Sequence, residues 1–219
     1  MPYVALPHYI PNNCCPVADV EGTEIHQVLV GSCSNCRRVC IDRQNYRSQR
    51  IFGGLNVKIK GRVWVFGDEI NTDLIFPHSA FRVPPEEQVK LVFSDNRPGW
   101  SSLVKPGDIL IAGKNFGTGS SRPGAILLRR LGLACMAADS INGLFYRNAI
   151  SYGFPALQCP GVSKMFEEGD TAEIDMLEGT VTNLRTGETR VGNKLSKLMA
   201  EIISAGGIEE LLIQEGYMD

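Results

Sequence analysis

No apolar run in the chain approaches the roughly 18 residues that a helix needs to cross a bilayer, and no block of Lys and Arg exceeds two residues. The first absence argues against a helical membrane protein. The second, together with a formal net charge of -2, removes the electrostatic footprint of a nucleic-acid or anionic-membrane binder. The expected partners are therefore a small molecule and another protein, with no nucleic acid and no membrane. The opening residues, MPYVALPHYIPNN, lack the basic start and long apolar centre of a secretory leader, which predicts a cytoplasmic protein. Histidine is scarce: His8, His26 and His78 stand singly, and each is expected to be a structural or exposed imidazole. An odd count of seven cysteines, five of them in the N-terminal segment, argues against a disulfide framework and for free thiols or metal ligation.

What is present is a chain of 219 residues, 43% hydrophobic and 21% charged, enough to bury a sizeable core as one domain with an appendage. Residues 1–60 are rich in Pro, Cys and Arg, with a single clear strand candidate, HQVLVG. Residues 61–219 read as the orderly domain. It begins with the strand GRVWVFG, the polar loop DEINTD, the stretch LIFPHSAF and a short helix near PPEEQVKLVFS. GDILIAG is a short apolar run bounded by Gly-Asp and Gly, the pattern of a buried strand. A helix follows, with Pro123 expected in its first turn and Gly132 as its stop. LACMAAD is a second buried strand, and INGLFYRNAISYG a second helix ending at Gly153. This succession predicts a parallel α/β core with right-handed crossovers. The segment DTAEIDMLEGTVTNLRTGETRVG alternates around Glu-Gly and Thr-Gly turns, as an antiparallel meander does, and NKLSKLMAEIISAGGIEELLIQEG closes as amphipathic helices.

Between the strand DILIAG and the helix AILLRRLGL stands Asn115-Phe-Gly-Thr-Gly-Ser-Ser-Arg-Pro-Gly124. Gly117 and Gly119 let the backbone turn tightly, while Ser120, Ser121 and Arg122 present hydroxyls, amides and a guanidinium at a helix mouth. That chemistry suits a carboxylate or phosphate, which Arg122 can grip in bidentate fashion. A plain strand-to-helix turn with serine caps explains the same residues. A dinucleotide loop is a further reading, because a second strand ends in Asp139 at about the expected distance; it lacks the third glycine, whose place Arg122 takes, and the Gly-Lys-Ser/Thr phosphate loop is absent. A serine alkoxide stabilised by amides and Arg122 is the chemical reading: it could abstract a carbon-bound proton.

Four stretches, VFGDEINTDLIFP, GDILIAGKNFGTGSSR, LFYRNAISYGFPAL and SAGGIEELL, stand in the order and spacing of a known family. The chain from about Gly61 to Gly216 resembles the small subunit, or swivelling domain, of the aconitase superfamily, in the short form of 3-isopropylmalate dehydratase and homoaconitase-type enzymes. The resemblance implies a β/β/α swivelling domain that closes over a large subunit carrying a [4Fe-4S] cluster. It further implies reversible dehydration and rehydration of a hydroxy-di- or tricarboxylate, a hydro-lyase activity. By the same resemblance Ser120 is the proton-abstracting base, Ser121 and Arg122 bind substrate carboxylate, and Asp73 faces the active site. Arg82 is the candidate for a second substrate-binding arginine. Two departures lie inside the main motif: Pro123-Gly124 replaces the family's usual Glu-His, and Thr118 stands where Cys is common. Asn115, Asn142 and Asn148 are expected to be turn, cap or buried polar residues, and Cys135 and Cys159 small core residues.

The segment VADVEGTEIHQVLVGSCSNCR is similar to a piece of the family's large subunit, in which Cys33 matches one cluster cysteine. The remaining large-subunit ligands have no counterpart here. On the residues alone, Cys33, Cys36 and Cys40 form Cys-x2-Cys-x3-Cys, three soft ligands able to hold iron-sulfur or zinc once a fourth arrives. A truncated relic, a fusion remnant and a docking arm are the other readings. The leading expectation for the whole chain is the small subunit of an iron-sulfur hydro-lyase; the alternatives are a noncatalytic anion- or metal-sensing protein of the same fold and a nucleotide-binding α/β domain.

Overall fold

The computed structural model describes residues 58–218. Cys33, Cys36, Cys40 and the expected strand HQVLVG lie outside the described residues. Among the described residues the strands are β1 (Lys58–Val65), β2 (Ile109–Ala112), β3 (Cys135–Ala138), β4 (Ala156–Gln158), β5 (Thr171–Asp175), β6 (Thr180–Asn183) and β7 (Thr189–Val191). They form one sheet in the order β4-β3-β2-β1-β5-β6-β7. β1 is the junction: Lys58–Arg62 pair antiparallel with β5, and Val63–Val65 pair parallel with β2. β2, β3 and β4 continue the parallel half, while β5, β6 and β7 make the expected meander.

The continuous apolar runs of β2 and β3 have a direct cause, because both strands are buried along their whole length and feed a core on each face. Leu110, Ala112, Met136 and Ala138 pack with Trp64, Phe66 and Trp100. Ile109, Ile111, Cys135 and Ala137 point the other way, toward Val63, Phe166 and Ile174. Cys135 and Cys159 are buried in this second core, as small core residues. Burial pushes both thiols up, so neither is a ready thiolate.

The helices are α1 (Thr72–Ile75), α2 (Pro85–Gln88), α3 (Gly124–Arg130), α4 (Gly143–Ser151), α5 (Lys197–Ala205) and α6 (Ile208–Gln214). α3 starts later than its sequence suggests, with Pro123 just outside it. The reason is local: the Arg122 N–H donates to Ser120 O at 2.8 Å and the Gly124 N–H to Arg122 O at 2.8 Å, two tight turns that hold this stretch off the helix. Gly132, at φ 103°, stops α3 as expected, and Gly206, at φ 102°, separates α5 from α6.

At the start of β5, Asp170 ties the meander together. Its carboxylate accepts from Arg185 Nε at 2.6 Å and Nη2 at 3.1 Å, from the Glu167 N–H at 3.0 Å and from Asn183 Nδ2 at 2.8 Å. These bonds, that of Arg185 foremost, hold its pKa down to about 2. A carboxyl lowered in the folded state contributes stability that is complete above its unfolded pKa of about 4 and is lost as pH falls through the folded value. Thermal unfolding of the wild type should therefore lose more stability between about pH 4 and pH 2 than that of Asp170→Asn. Equal slopes for the two proteins would remove Asp170 as the source.

Candidate active site

The loops that follow β1, β2 and β3 meet at the carboxyl ends of these parallel strands, the place where open α/β sheets form ligand crevices. They are laced to one another by backbone bonds. The Gly113 N–H donates to Gly67 O at 3.1 Å, Glu69 to Lys114 O at 2.8 Å, Gly117 to Ile70 O at 2.6 Å and Thr72 to Thr118 O at 2.7 Å. On the other side Phe116 donates to Ser140 O at 3.1 Å and Asn142 to Phe116 O at 2.8 Å. Asn115 adopts φ 58°, a left-handed turn that Asn tolerates better than most residues. Its side chain donates to Glu69 Oε1 at 2.5 Å, and its own N–H to Ser140 Oγ at 2.8 Å.

Gly119, at φ 107°, passes so close to Thr72 that an added Cβ would lie 2.8 Å from the Thr72 hydroxyl. Beyond it the chain exposes Ser120 and Ser121. Among the described residues the backbone N–H groups of these two serines have no protein acceptor, whereas those of Arg122 and Gly124 are spent in the tight turns. The free backbone donors are therefore at the tip of the loop before α3, not within the first turn of the helix. The Ser121 hydroxyl is held from α4, by Asn148 Nδ2 at 3.2 Å.

Arg122 turns inward, with its side chain only 11% exposed. Its Nη2 contacts Asp73 Oδ1 at 2.9 Å and His78 Nδ1 at 3.3 Å, and its Nη1 donates to Phe76 O at 2.7 Å. Its Cζ lies 5.2 Å from the centre of the Phe81 ring. Of the guanidinium's donors, Nη1 bonds Phe76 O, and Nη2 faces His78 and pairs with Asp73, while Nε has no partner among the described residues.

Asp73 is thus joined to Arg122 as an ion pair in the first turn of α1. It is not the cap of that turn: Asn71 is, its side chain accepting from the Leu74 N–H at 2.9 Å. Ser120, Ser121, Arg122 and Asp73 belong to one loop cluster. Arg82 does not join it; exposed at the end of the short turn His78–Arg82, it makes no ion pair among the described residues, and its neighbour Phe81 packs on Arg122 instead. Asn142 caps α4, accepting from the Leu144 N–H at 3.0 Å, as expected.

Sequence reasoning missed His78, Phe81 and Asn148. Only Asn148 left a signal, since Asn inside a helix is a weak helix former and invites a reason for its presence. Asp139 is taken out of the dinucleotide reading: it accepts from the Ser163 N–H at 2.9 Å and Ser163 Oγ at 3.0 Å, binding its own fold. Among the described residues no group of three or more His, Cys, Asp or Glu side chains converges to hold a metal ion, and no helix is long and apolar enough to cross a membrane.

Residues 82–161 match the aconitase C-terminal domain family. Over 152 residues the chain is 45% identical to the isopropylmalate/citramalate isomerase small subunit of Methanocaldococcus jannaschii, covering 68% of this chain and 90% of that one. It is 46% identical over 160 residues to 3-isopropylmalate dehydratase small subunit 1 of Methanopyrus kandleri, covering 72% and 94%. Its fold is similar to the crystal structure of a 3-isopropylmalate dehydratase from Methanocaldococcus jannaschii, with a TM-score of 0.67 and 31% identity, over 73% of this chain and 96% of that one.

Proposed function

The chain belongs to the family of 3-isopropylmalate dehydratase small subunits, and from that premise we propose that Ser120, Ser121, Arg122 and Asp73 form its half of an active site completed by a large subunit. It is the small subunit of a hydro-lyase. The observation that carries the site reading is the loop tip itself: an exposed Ser120 hydroxyl and two unpaired amides next to an Arg122 guanidinium braced by Asp73.

The substrate class is a hydroxy-di- or tricarboxylate, with isopropylmalate and citramalate as the first acids to try, since the relatives' names carry them. Arg122 takes a substrate carboxylate through its remaining donors. Ser120 Oγ, as its alkoxide, removes the proton from the carbon next to the one bearing the hydroxyl; the C–H electron pair becomes the new double bond and the hydroxyl leaves with the C–O pair as hydroxide. The amides of Ser120 and Ser121 stabilise negative charge on the serine oxygen, which lowers the cost of using so weak an acid as a base. Return of the proton and of hydroxide, together one water, with the opposite regiochemistry gives the isomer. Arg82, exposed on the turn His78–Arg82 outside the cluster, is the candidate for a second carboxylate contact.

A dehydratase of the aconitase family implies an iron-sulfur cluster. Among the described residues no group of three or more His, Cys, Asp or Glu converges, and Cys33, the one residue matched to a cluster cysteine, lies outside them; we place the cluster on the large subunit, to which the resemblance gives the remaining ligands, and confine this chain to binding substrate and moving the proton. We further assign residues 61–219 to the swivelling domain, residues 1–60 to a separate segment and the protein to leucine biosynthesis in the cytoplasm. The noncatalytic sensing alternative is not favoured by the relatives.

The test is anaerobic: the chain is mixed with its large subunit and a panel of hydroxy acids, and the ultraviolet absorbance of the new carbon-carbon double bond is followed. Absorbance that requires both subunits is the expected result. A partner with an intact cluster that turns over no acid in the presence of this chain would overturn the reading.

A further inference from the structure

The cradle of Arg122 contains a group that the reaction above does not use. His78 is exposed on the turn after α1, and its Nδ1 lies 3.3 Å from Arg122 Nη2. A guanidinium donates and never accepts. In this contact Nδ1 is therefore the acceptor. The ring is also held sideways, edge-on to Phe81 with centroids 5.7 Å apart, while Phe81 in turn stands edge-on to Phe76 at 4.7 Å and beneath Arg122.

We propose that His78 is a positioning residue for the reaction: by accepting at Nδ1 it fixes the rotation of the Arg122 guanidinium over Phe81, so that its remaining donors are presented to substrate. Phe76 O holds the guanidinium at Nη1 and Asp73 pairs with it at Nη2; His78 adds an acceptor beside Nη2 that limits its rotation.

This inference rests on the proposed role of Arg122, and its test separates the two. In the two-subunit enzyme, His78→Ala should raise KM for the hydroxy acid by about tenfold, the scale of one hydrogen bond to a charged group, with kcat changed far less. His78→Asn, whose carboxamide oxygen reaches the position of Nδ1, should restore KM; His78→Gln, whose oxygen reaches toward Nε2, should not. A loss confined to kcat, or Asn and Gln variants that behave alike, would overturn the proposal. A second readout needs no turnover: in the isolated chain, nitrogen-15 spectra should show rotation of the Arg122 guanidinium restricted in the wild type and His78→Asn and freed in His78→Ala. Equal mobility in all three would sink the positioning role even if the enzyme is active. Restriction that depends on His78 in a chain that activates no large subunit would leave the contact standing and remove the proposed function instead.

Discussion

Replacing Ser120 by alanine is expected to lower kcat of the two-subunit enzyme by about 10²–10⁴-fold, the usual contribution of a general base. KM should move little, because a group that acts on the proton in transit contributes to the transition state more than to ground-state binding. Folding should be unaffected. The Ser120 side chain is exposed and its hydroxyl has no protein partner among the described residues, so its removal leaves no cavity and no orphaned polar group. Ser121→Ala is the informative companion. That hydroxyl is tethered to Asn148 Nδ2 at 3.2 Å, and its loss should appear in KM. Steady-state kinetics of both variants, with melting curves to confirm folding, checks the division of labour. A Ser120→Ala enzyme that keeps a tenth of its turnover would assign the base to another residue.

Gly117→Ala is expected to be the most damaging small substitution in the loop. Gly117 has φ 78°, and a Cβ there would lie 2.3 Å from Phe145 Cγ and 2.4 Å from Phe145 Cβ. Phe145 is only 2% exposed and packs edge-on against Phe116 with centroids 5.2 Å apart, so the ring has nowhere to go. Overpacking of this kind costs about 1–3 kcal/mol, and a left-handed non-glycine residue adds about 1–2 kcal/mol. The expected loss is roughly 2–5 kcal/mol by denaturant titration. Activity should fall with it, because Phe145 and Asn148 sit one turn apart on α4, and displacing that helix withdraws the tether of Ser121. Gly67→Ala is the control: its added Cβ meets nothing within 4 Å. Equal stability of the two variants would show that the loop is softer than its packing implies.

Much of this frame is legible in the residues. The runs ILIA and CMAA are apolar without alternation because β2 and β3 are covered on both faces. The alternating segment after Asp170 is a meander with one side in the core, as in the pattern of β5 and β6. Gly132 and Gly206 mark helix ends because both need positive φ. The late start of α3 was not legible, since it depends on two tight turns through Ser120 and Arg122 rather than on helix propensity. The double pairing of β1 was hidden too. No local pattern tells a strand to pair antiparallel over Lys58–Arg62 and parallel over Val63–Val65.

The buried strands β2 and β3, the helices that follow them, the family and the Ser120-Ser121-Arg122 loop can be read from the residues, because burial and turn chemistry leave periodic and local marks. How that loop is used depends on contacts between loops far apart in the chain. Arg122 reaches Phe76 across 46 positions and His78 across 44, and these partners are neighbours because parallel pairing of β1 with β2 brings the loops after them together. Apolar burial is nearly directionless and can be read from composition and period. A guanidinium's hydrogen bonds are directional and short, so its partners are settled by the placement of two loops in space, which no stretch of either loop records.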